Sequence, residues 1–265
     1  MNIACNMKKA SYILLLTCCL GCSVKEDRFP CPSWLQLIVQ DCAGFSNDLS
    51  ISLWDTQSIF SDVIAISDYP EYYEREVPKG IYKLSSYCGI SRSIIEGTQV
   101  IIPVGQDCDS IYAYSKSLTC SEEFTRDSVK LQKRFARVTL VINMPDDADC
   151  PYRFTVKSKI CGMDLITFSP IFGEFANKLN IIDNKVTFCL PRQDDSHPED
   201  LHILVEKDEV TFHKIELGQI IKDIGYSWNS KDLNDITLGI DYVKSEISIK
   251  VQDWEIGDSY GIVVF

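Results

Sequence analysis

The residues Phe-Ala-Arg-Val-Thr-Leu-Val-Ile occupy positions 135–142 of this chain. Apolar residues recur there at every second position, at Val138, Leu140 and Ile142. A period of two sends alternate side chains to opposite faces of a β-strand, so the segment predicts a strand with one buried face. Residues 247–251 show the same alternation.

Similar short runs of β-branched and aromatic residues continue along the chain, separated by Gly, Pro, Asn and Asp. Such runs bounded by turn residues predict strands. The other predicted strands are Leu35–Val39, Leu49–Trp54, Gly80–Ser86, Gln99–Val104, Ser110–Tyr114, Tyr152–Val156, Lys185–Leu190, Leu201–Glu206, Glu209–His213, Ile236–Tyr242, Glu246–Gln252 and Tyr260–Phe265.

One segment predicts a helix instead. Its apolar residues follow the spacing i, i+3, i+4, i+7, which places them on one helical stripe. They are Leu217, Ile220, Ile221 and Ile224. Gly225 follows as a C-cap, and we expect the stripe to pack on the core.

The strand spacing predicts an all-β protein built of β-sandwiches. The length fits two sandwiches in tandem. Charged residues interrupt the apolar pattern near 122–134, so we place a boundary there. The predicted domains are an N-terminal sandwich at 33–130 and a C-terminal sandwich at 131–265.

The N-terminal segment has the organisation of an export signal. Lys8 and Lys9 precede an apolar run that ends at Gly21, and Cys22 follows. The run is shorter than the roughly 20 residues that a membrane span needs, and its layout is that of a secretory signal peptide. A small residue before a cysteine resembles a bacterial lipobox. We therefore expect removal of residues 1–21, a lipid on Cys22 and a tether over 22–32. An ordinary cleaved signal is the alternative.

The charge of the chain limits its partners. The formal net charge is −12, and removal of Lys8 and Lys9 with the signal would make it −14. Nucleic-acid binding needs clustered Lys and Arg, so an acidic protein of this kind is not expected to bind nucleic acid. A large net charge suits a solvated, exported protein.

Eight cysteines follow Cys22, and an even number in an exported protein permits disulfides. They are Cys31, Cys42, Cys88, Cys108, Cys120, Cys150, Cys161 and Cys189. Buried free thiols are the equally open alternative. No Cys-x-x-Cys motif occurs among them, and the three histidines lack ligand spacing, so no metal site and no cofactor are predicted.

We find no motif of a catalytic centre, and the prediction is a protein that is not an enzyme and has no small-molecule substrate. Acidic clusters at 107–109, 146–149 and 194–195 lack the EF-hand spacing and are expected to be solvated loops. The four tryptophans can line a sugar site, but we expect them to anchor the core. They are Trp34, Trp54, Trp228 and Trp254.

Several segments together resemble a known family. In order they are 23–28 (Ser-Val-Lys-Glu-Asp-Arg), 31–35 (Cys-Pro-Ser-Trp-Leu), 77–82, 133–138, 161–165, 190–193, 225–228, 235–236 and 254–255. This series resembles the FimB-like fimbrial anchor lipoproteins of Bacteroidota, which are associated with type V pili. Ser33 stands where that family has a second cysteine.

The resemblance implies two tandem transthyretin-like β-sandwiches and a role without catalysis. Such proteins are held in the outer membrane by their lipid, carry the base of a fimbrium and can limit its length. The implied partners are a fimbrillin stalk subunit and the outer membrane. Residues 25–27 (Lys-Glu-Asp) resemble a signal for export to the outer surface. The alternative function is a glycan-binding surface lipoprotein.

Two further expectations concern specific residues. The apolar C-terminal segment Gly261-Ile262-Val263-Val264-Phe265 is a candidate donor strand for the stalk subunit, and an ordinary last strand is the alternative. The triplets at 109–111 and 127–129 match an Asp-Ser-apolar pattern of O-glycosylation, which makes Ser110 and Ser128 candidate glycan sites.

Overall fold

The computed structural model describes residues 31–40, 48–56, 58–65, 72–144, 150–208, 210–241 and 246–251. Its strands over these residues are β1 (Ser33–Gln40), β2 (Leu49–Trp54), β3 (Ser58–Ile64), β4 (Tyr73–Val77), β5 (Gly80–Cys88), β6 (Ile94–Glu96), β7 (Gln99–Ile101), β8 (Tyr112–Cys120), β9 (Phe124–Lys130), β10 (Gln132–Lys133), β11 (Phe135–Asn143), β12 (Arg153–Asp164), β13 (Pro170–Leu179), β14 (Lys185–Pro191), β15 (His202–Lys207), β16 (Val210–Ile215), β17 (Ile236–Asp241) and β18 (Glu246–Val251). A 3-10 helix (Pro198–Asp200) and the helix α1 (Leu217–Asp223) accompany them. The predicted all-β class is confirmed.

The first half of the chain forms a sandwich of two sheets. A three-stranded sheet, ordered β4–β1–β9, packs against a five-stranded sheet, ordered β10–β8–β5–β2–β3. Strand β1 shows why the layers meet, because its alternate residues Leu35, Leu37 and Val39 are buried. They pack in one cluster with Leu53 and Leu84 of the facing sheet.

The second half forms a second sandwich. A four-stranded sheet, ordered β14–β11–β17–β18, faces a six-stranded sheet, ordered β16–β15–β12–β7–β6 with β13 also paired to β12. The alternation in β11 is confirmed, since Val138, Leu140 and Ile142 are all buried. Phe154 and Phe175 of the facing sheet join the same core cluster.

Helix α1 covers one end of this second core. Its predicted apolar stripe is buried as expected, and Leu217 and Ile221 belong to the core cluster. Gly225 has a φ of 77°, a conformation that favours glycine, and its N–H donates to the carbonyl of Lys222 at 2.9 Å. No helix in the described part of the chain has the length and apolarity needed to cross a membrane.

The two halves are joined by strand pairing. The hairpin β6–β7 belongs in sequence to the first half, yet β7 pairs with β12, with Val100 opposite Met163. A separate apolar cluster surrounds this pairing and includes Ile111, Ala113 and Leu165. The division at 130/131 stays a prediction, and the hairpin pairs across it.

Several strands were not predicted, and β9 is the clearest case. The sequence indicated an interruption near 122–134, but 124–130 form a strand parallel to β1. Only Val129 of this strand is fully buried, so its sequence carries no continuous apolar face. An exposed strand at one side of a sheet does not produce the pattern on which the prediction relied.

Gly162 permits the close approach of β12 and β7, and its substitution tests the pairing. A Cβ added there would lie 2.0 Å from the carbonyl oxygen of Val100. We expect Gly162→Ala to lower the free energy of unfolding by about 3 kcal/mol, measured by urea denaturation. Gly97→Ala is the control, because no atom lies within 4 Å of its added Cβ and only the positive φ of 62° opposes it. It should cost about 1 kcal/mol. Equal losses would contradict the packing argument.

Candidate functional site

The two most specific predicted sites lie outside the described residues. These are Cys22, the predicted lipid site, and Gly261–Phe265, the candidate donor strand. Strand β18 is the last described strand, and it pairs antiparallel with β17. Lipidation and strand donation therefore stay predictions.

The two candidate glycan sites differ in access. Ser128 is exposed on β9, beside Asp127, which forms an ion pair with Lys116 at 2.7 Å. Ser110 is half-buried, and its hydroxyl lies 3.8 Å from the Sγ of Cys189. Glycosylation stays a prediction at both, and Ser128 is the more accessible of the two.

The sequence predicted that Asp109 lies in a solvated loop. That prediction is wrong, because Asp109 is fully buried. It accepts hydrogen bonds from the Ser91 hydroxyl at 2.8 Å, the Ser93 N–H at 2.8 Å and the Arg92 N–H at 3.0 Å. The Arg92 guanidinium also donates to it at 3.2 Å. Burial alone would raise the pKa of this carboxyl, but the donors from Ser93 and Arg92 outweigh burial and lower the pKa below its usual range.

Asp107 connects the same loop to the second half of the chain. Its carboxylate accepts from the backbone N–H of Cys189 at 3.0 Å and from the side-chain amide of Asn177 at 3.2 Å. Burial raises the pKa of Asp107. The acidic cluster at 107–109 thus connects the loop before β8 to β13 and β14 through hydrogen bonds.

The titration of Asp109 tests whether its buried charge stabilises the folded protein. Because its pKa is lower in the folded state than in the unfolded state, its contribution to stability is present above about pH 4 and is lost as the pH falls further. We expect Asp109→Asn to lower the free energy of unfolding by about 3 kcal/mol at pH 7. The difference from the unsubstituted protein should shrink between about pH 4 and pH 2, measured by urea denaturation across that range.

Asp48→Asn is the matched control for Asp109→Asn, because Asp48 is an exposed aspartate. It should change stability by less than about 0.5 kcal/mol at either pH. A constant loss for Asp109→Asn across the whole pH range would show that its charge is not what matters.

An exposed apolar surface lies on the outer face of the three-stranded sheet. Trp34 of β1 is 41% exposed and its neighbour on β9, Phe124, is 51% exposed. Ile38 lies on the same outward side of β1 and is also exposed. Between them, Gln36 donates to Glu74 at 2.7 Å. This surface was not predicted from the sequence, because the same strand supplies core residues at the alternate positions.

The tryptophans do not form one surface. Trp228 is buried, as expected of a core anchor, and Trp54 is half-buried. Trp34 is exposed, so the core prediction is wrong for that residue, and Trp254 lies outside the described part. Among the described residues no platform of several tryptophans is present.

No disulfide joins two cysteines of the described residues. These cysteines are Cys31, Cys88, Cys108, Cys120, Cys150, Cys161 and Cys189. Five are buried, and burial raises the pKa of thiols such as Cys108 and Cys120. A protonated thiol in an apolar core is inert, so these groups act as small core residues.

No group of three His, Cys, Asp or Glu side chains among the described residues is arranged to hold a metal ion. His197 is exposed, with its Nδ1 3.2 Å from Asp194, and that carboxylate also accepts the N–H of Ser196 at 2.8 Å. These contacts order the loop after β14.

No protein-family model and no curated protein matches the sequence. Solved structures do match the fold. The fimbrial anchor protein Mfa2 from Porphyromonas gingivalis aligns with a TM-score of 0.59 at 13% identity, over 87% of this chain and 100% of that one. This chain shares the fold of that anchor protein.

Two other structures show the same fold. A candidate polysaccharide-binding protein from Bacteroides thetaiotaomicron aligns with a TM-score of 0.62 at 8% identity, over 85% of this chain and 99% of that one. A candidate adhesin from Bacteroides ovatus aligns with a TM-score of 0.60 at 12% identity, over 84% and 94%. The sandwich architecture predicted from the sequence is confirmed by these alignments.

Proposed function

We propose that this protein is a non-enzymatic lipoprotein of the outer membrane that anchors a fimbrium and helps to assemble it. The observation that carries the proposal is the alignment with a fimbrial anchor protein over the full length of that protein. The resemblance of the segment ending at Cys22 to a lipobox and the ordered series of sequence segments support it independently.

In this proposal the two ends of the chain have different tasks. Cys22 holds the N-terminus in the membrane, and residues 22–32 lead to β1. The segment 261–265 pairs with the first fimbrillin subunit, because main-chain hydrogen bonds to an added strand supply affinity and alternate side chains supply register. Limitation of fimbrial length would follow if each anchor captures one growing stalk.

Glycan binding is the alternative function, and the tryptophans give it no particular support. Stacking on sugars needs exposed aromatic rings that face one ligand. Phe124 lies opposite Trp34 and is also exposed, but no second exposed tryptophan lies on that sheet face among the described residues. Anchoring therefore remains the proposed function.

Substitution of the lipid-bearing cysteine tests the anchor. We expect Cys22→Ala to release the protein, and any fimbria it holds, from the cells into the medium, because a lipid chain supplies the attachment. The measurement is an immunoblot of membrane and culture fractions. Cys31→Ala is the matched control, since Cys31 is an exposed, unbridged cysteine beyond the lipobox, and it should stay in the membrane. Retention of Cys22→Ala would contradict the proposal.

Deletion of residues 261–265 tests strand donation separately. We expect the shortened protein to keep its thermal unfolding midpoint and its membrane attachment but to lose co-purification with a fimbrillin subunit. The reason is that a donor strand contributes to the partner's sheet and not to its own. An ordinary last strand would behave differently, because its deletion would lower the unfolding midpoint.

A further inference from the structure

Two arginines are buried near the junction of the two halves, and neither forms an ion pair with a described carboxylate. Arg134 precedes β11 and is 7% exposed, and Arg192 follows β14 and is 9% exposed. Asp232 acts on Arg134 and Asp195 on Arg192 only from beyond ion-pair distance. A buried charge without a close partner is costly, so this arrangement calls for an explanation.

The hydrogen bonds of the two guanidinium groups go to neutral acceptors. Arg134 donates to the carbonyl of Lys231 at 3.2 Å and to the side-chain oxygen of Gln132. Arg192 donates to the carbonyls of Ser230 at 2.8 Å and of Trp228. The Nε atoms of both arginines are buried and have no acceptor. Each guanidinium has five N–H groups, so most of its donors are unused.

An aromatic ring and a second positive charge surround the guanidinium of Arg134. The guanidinium carbon of Arg134 lies 3.6 Å from the centroid of the Phe168 ring. Burial, together with the charge of Arg192, lowers the pKa of Arg134 to about 10, and burial likewise lowers the pKa of Arg192. Both groups remain protonated at neutral pH, and they repel each other.

Both arginines line one open pocket with a volume of about 490 Å³, a size at which pockets take small molecules. The pocket is also lined by Lys231, Asp194 and Asp195. Three positive and two negative side chains give the lining a net charge of +1. A net positive lining of this kind attracts anions.

The rest of the lining is rich in hydrogen-bonding groups. It includes Thr167 and Ser169, whose hydroxyls already hydrogen-bond each other at 2.7 Å, together with Ser230 and with Asn229, which carries a side-chain amide. Asp195 accepts from that amide at 2.8 Å, so its carboxylate is already partly engaged. A wall with many donors and several acceptors suits a ligand that carries hydroxyl groups as well as one carboxylate.

We propose that this pocket binds the carboxylate of an acidic sugar, with the guanidinium groups of Arg134 and Arg192 as the charged donors. Guanidinium recognises a carboxylate through two parallel hydrogen bonds, and the hydroxyl-bearing wall takes the sugar ring. The site is independent of fimbrial anchoring, since it involves neither Cys22 nor the C-terminal segment.

Calorimetric titration of the purified full chain tests the proposal. The probes are sodium glucuronate and N-acetylneuraminate, with glucose, acetate, inorganic phosphate and a glutamate-rich peptide for comparison. At least one acidic sugar should bind about tenfold more tightly than glucose and than each of the other anions, because only it offers both the carboxylate and the hydroxyls. Binding of neither acidic sugar would overturn the proposal. So would equally tight binding of acetate, phosphate or the peptide.

Two variants test the residues. Arg192→Gln should weaken binding of the acidic sugar about tenfold. Because its hydrogen bonds to 228 and 230 also order the loop, a second variant at an exposed position is needed. Lys231→Glu changes the net charge of the lining from +1 to −1 and should weaken binding about fivefold. Lys222→Glu, on the exposed side of α1, makes the same charge change outside the pocket and should leave binding unchanged. Equal effects of the two lysine variants would overturn the assignment.

Discussion

Strand β12 (Arg153–Asp164) carries the pairing on which the rest of the structure depends. It pairs with β13 over its length, with β15 through its first half and with β7 through its last residues. One strand therefore contributes both to the second core and to the connection with the first half. The connection requires Gly162, because any larger residue there would meet the backbone of β7.

Polar contacts reinforce the connection that β12 makes. The Thr98 hydroxyl donates to Asp164 at 2.5 Å, and Asp109 and Asp107 fix the loop that follows β7. If the chain is held by a lipid at its N-terminus and captures a partner at its C-terminus, any pull between them crosses this junction. Apolar burial is non-directional, whereas strand pairing and charged hydrogen bonds fix a geometry, so the junction combines cohesion with a defined orientation.

The parts of the fold that the sequence predicted are those with one buried face. In β11 the alternation of Val138, Leu140 and Ile142 matched their burial, and the stripe of α1 did the same. Strand β9 was not predicted because it is mostly exposed, and its charged residues indicated a boundary. The burial of Asp109 and of the two arginines was not predicted for another reason. Their burial depends on contacts with residues distant in sequence, which composition and local charge cannot reveal.

The proposed sugar site must work within an acidic protein. A net charge of −12 would repel acidic ligands at long range, but at physiological salt the Debye length is about 8 Å, so distant surface charges are largely screened. A bound carboxylate is affected mainly by the local charge, which comes from the two guanidinium groups in the pocket lining. The general acidity would slow encounter with acidic glycans without preventing tight local contact. Selection among acidic ligands would then depend on the hydroxyl and amide groups of the wall, because every carboxylate meets the same two arginines.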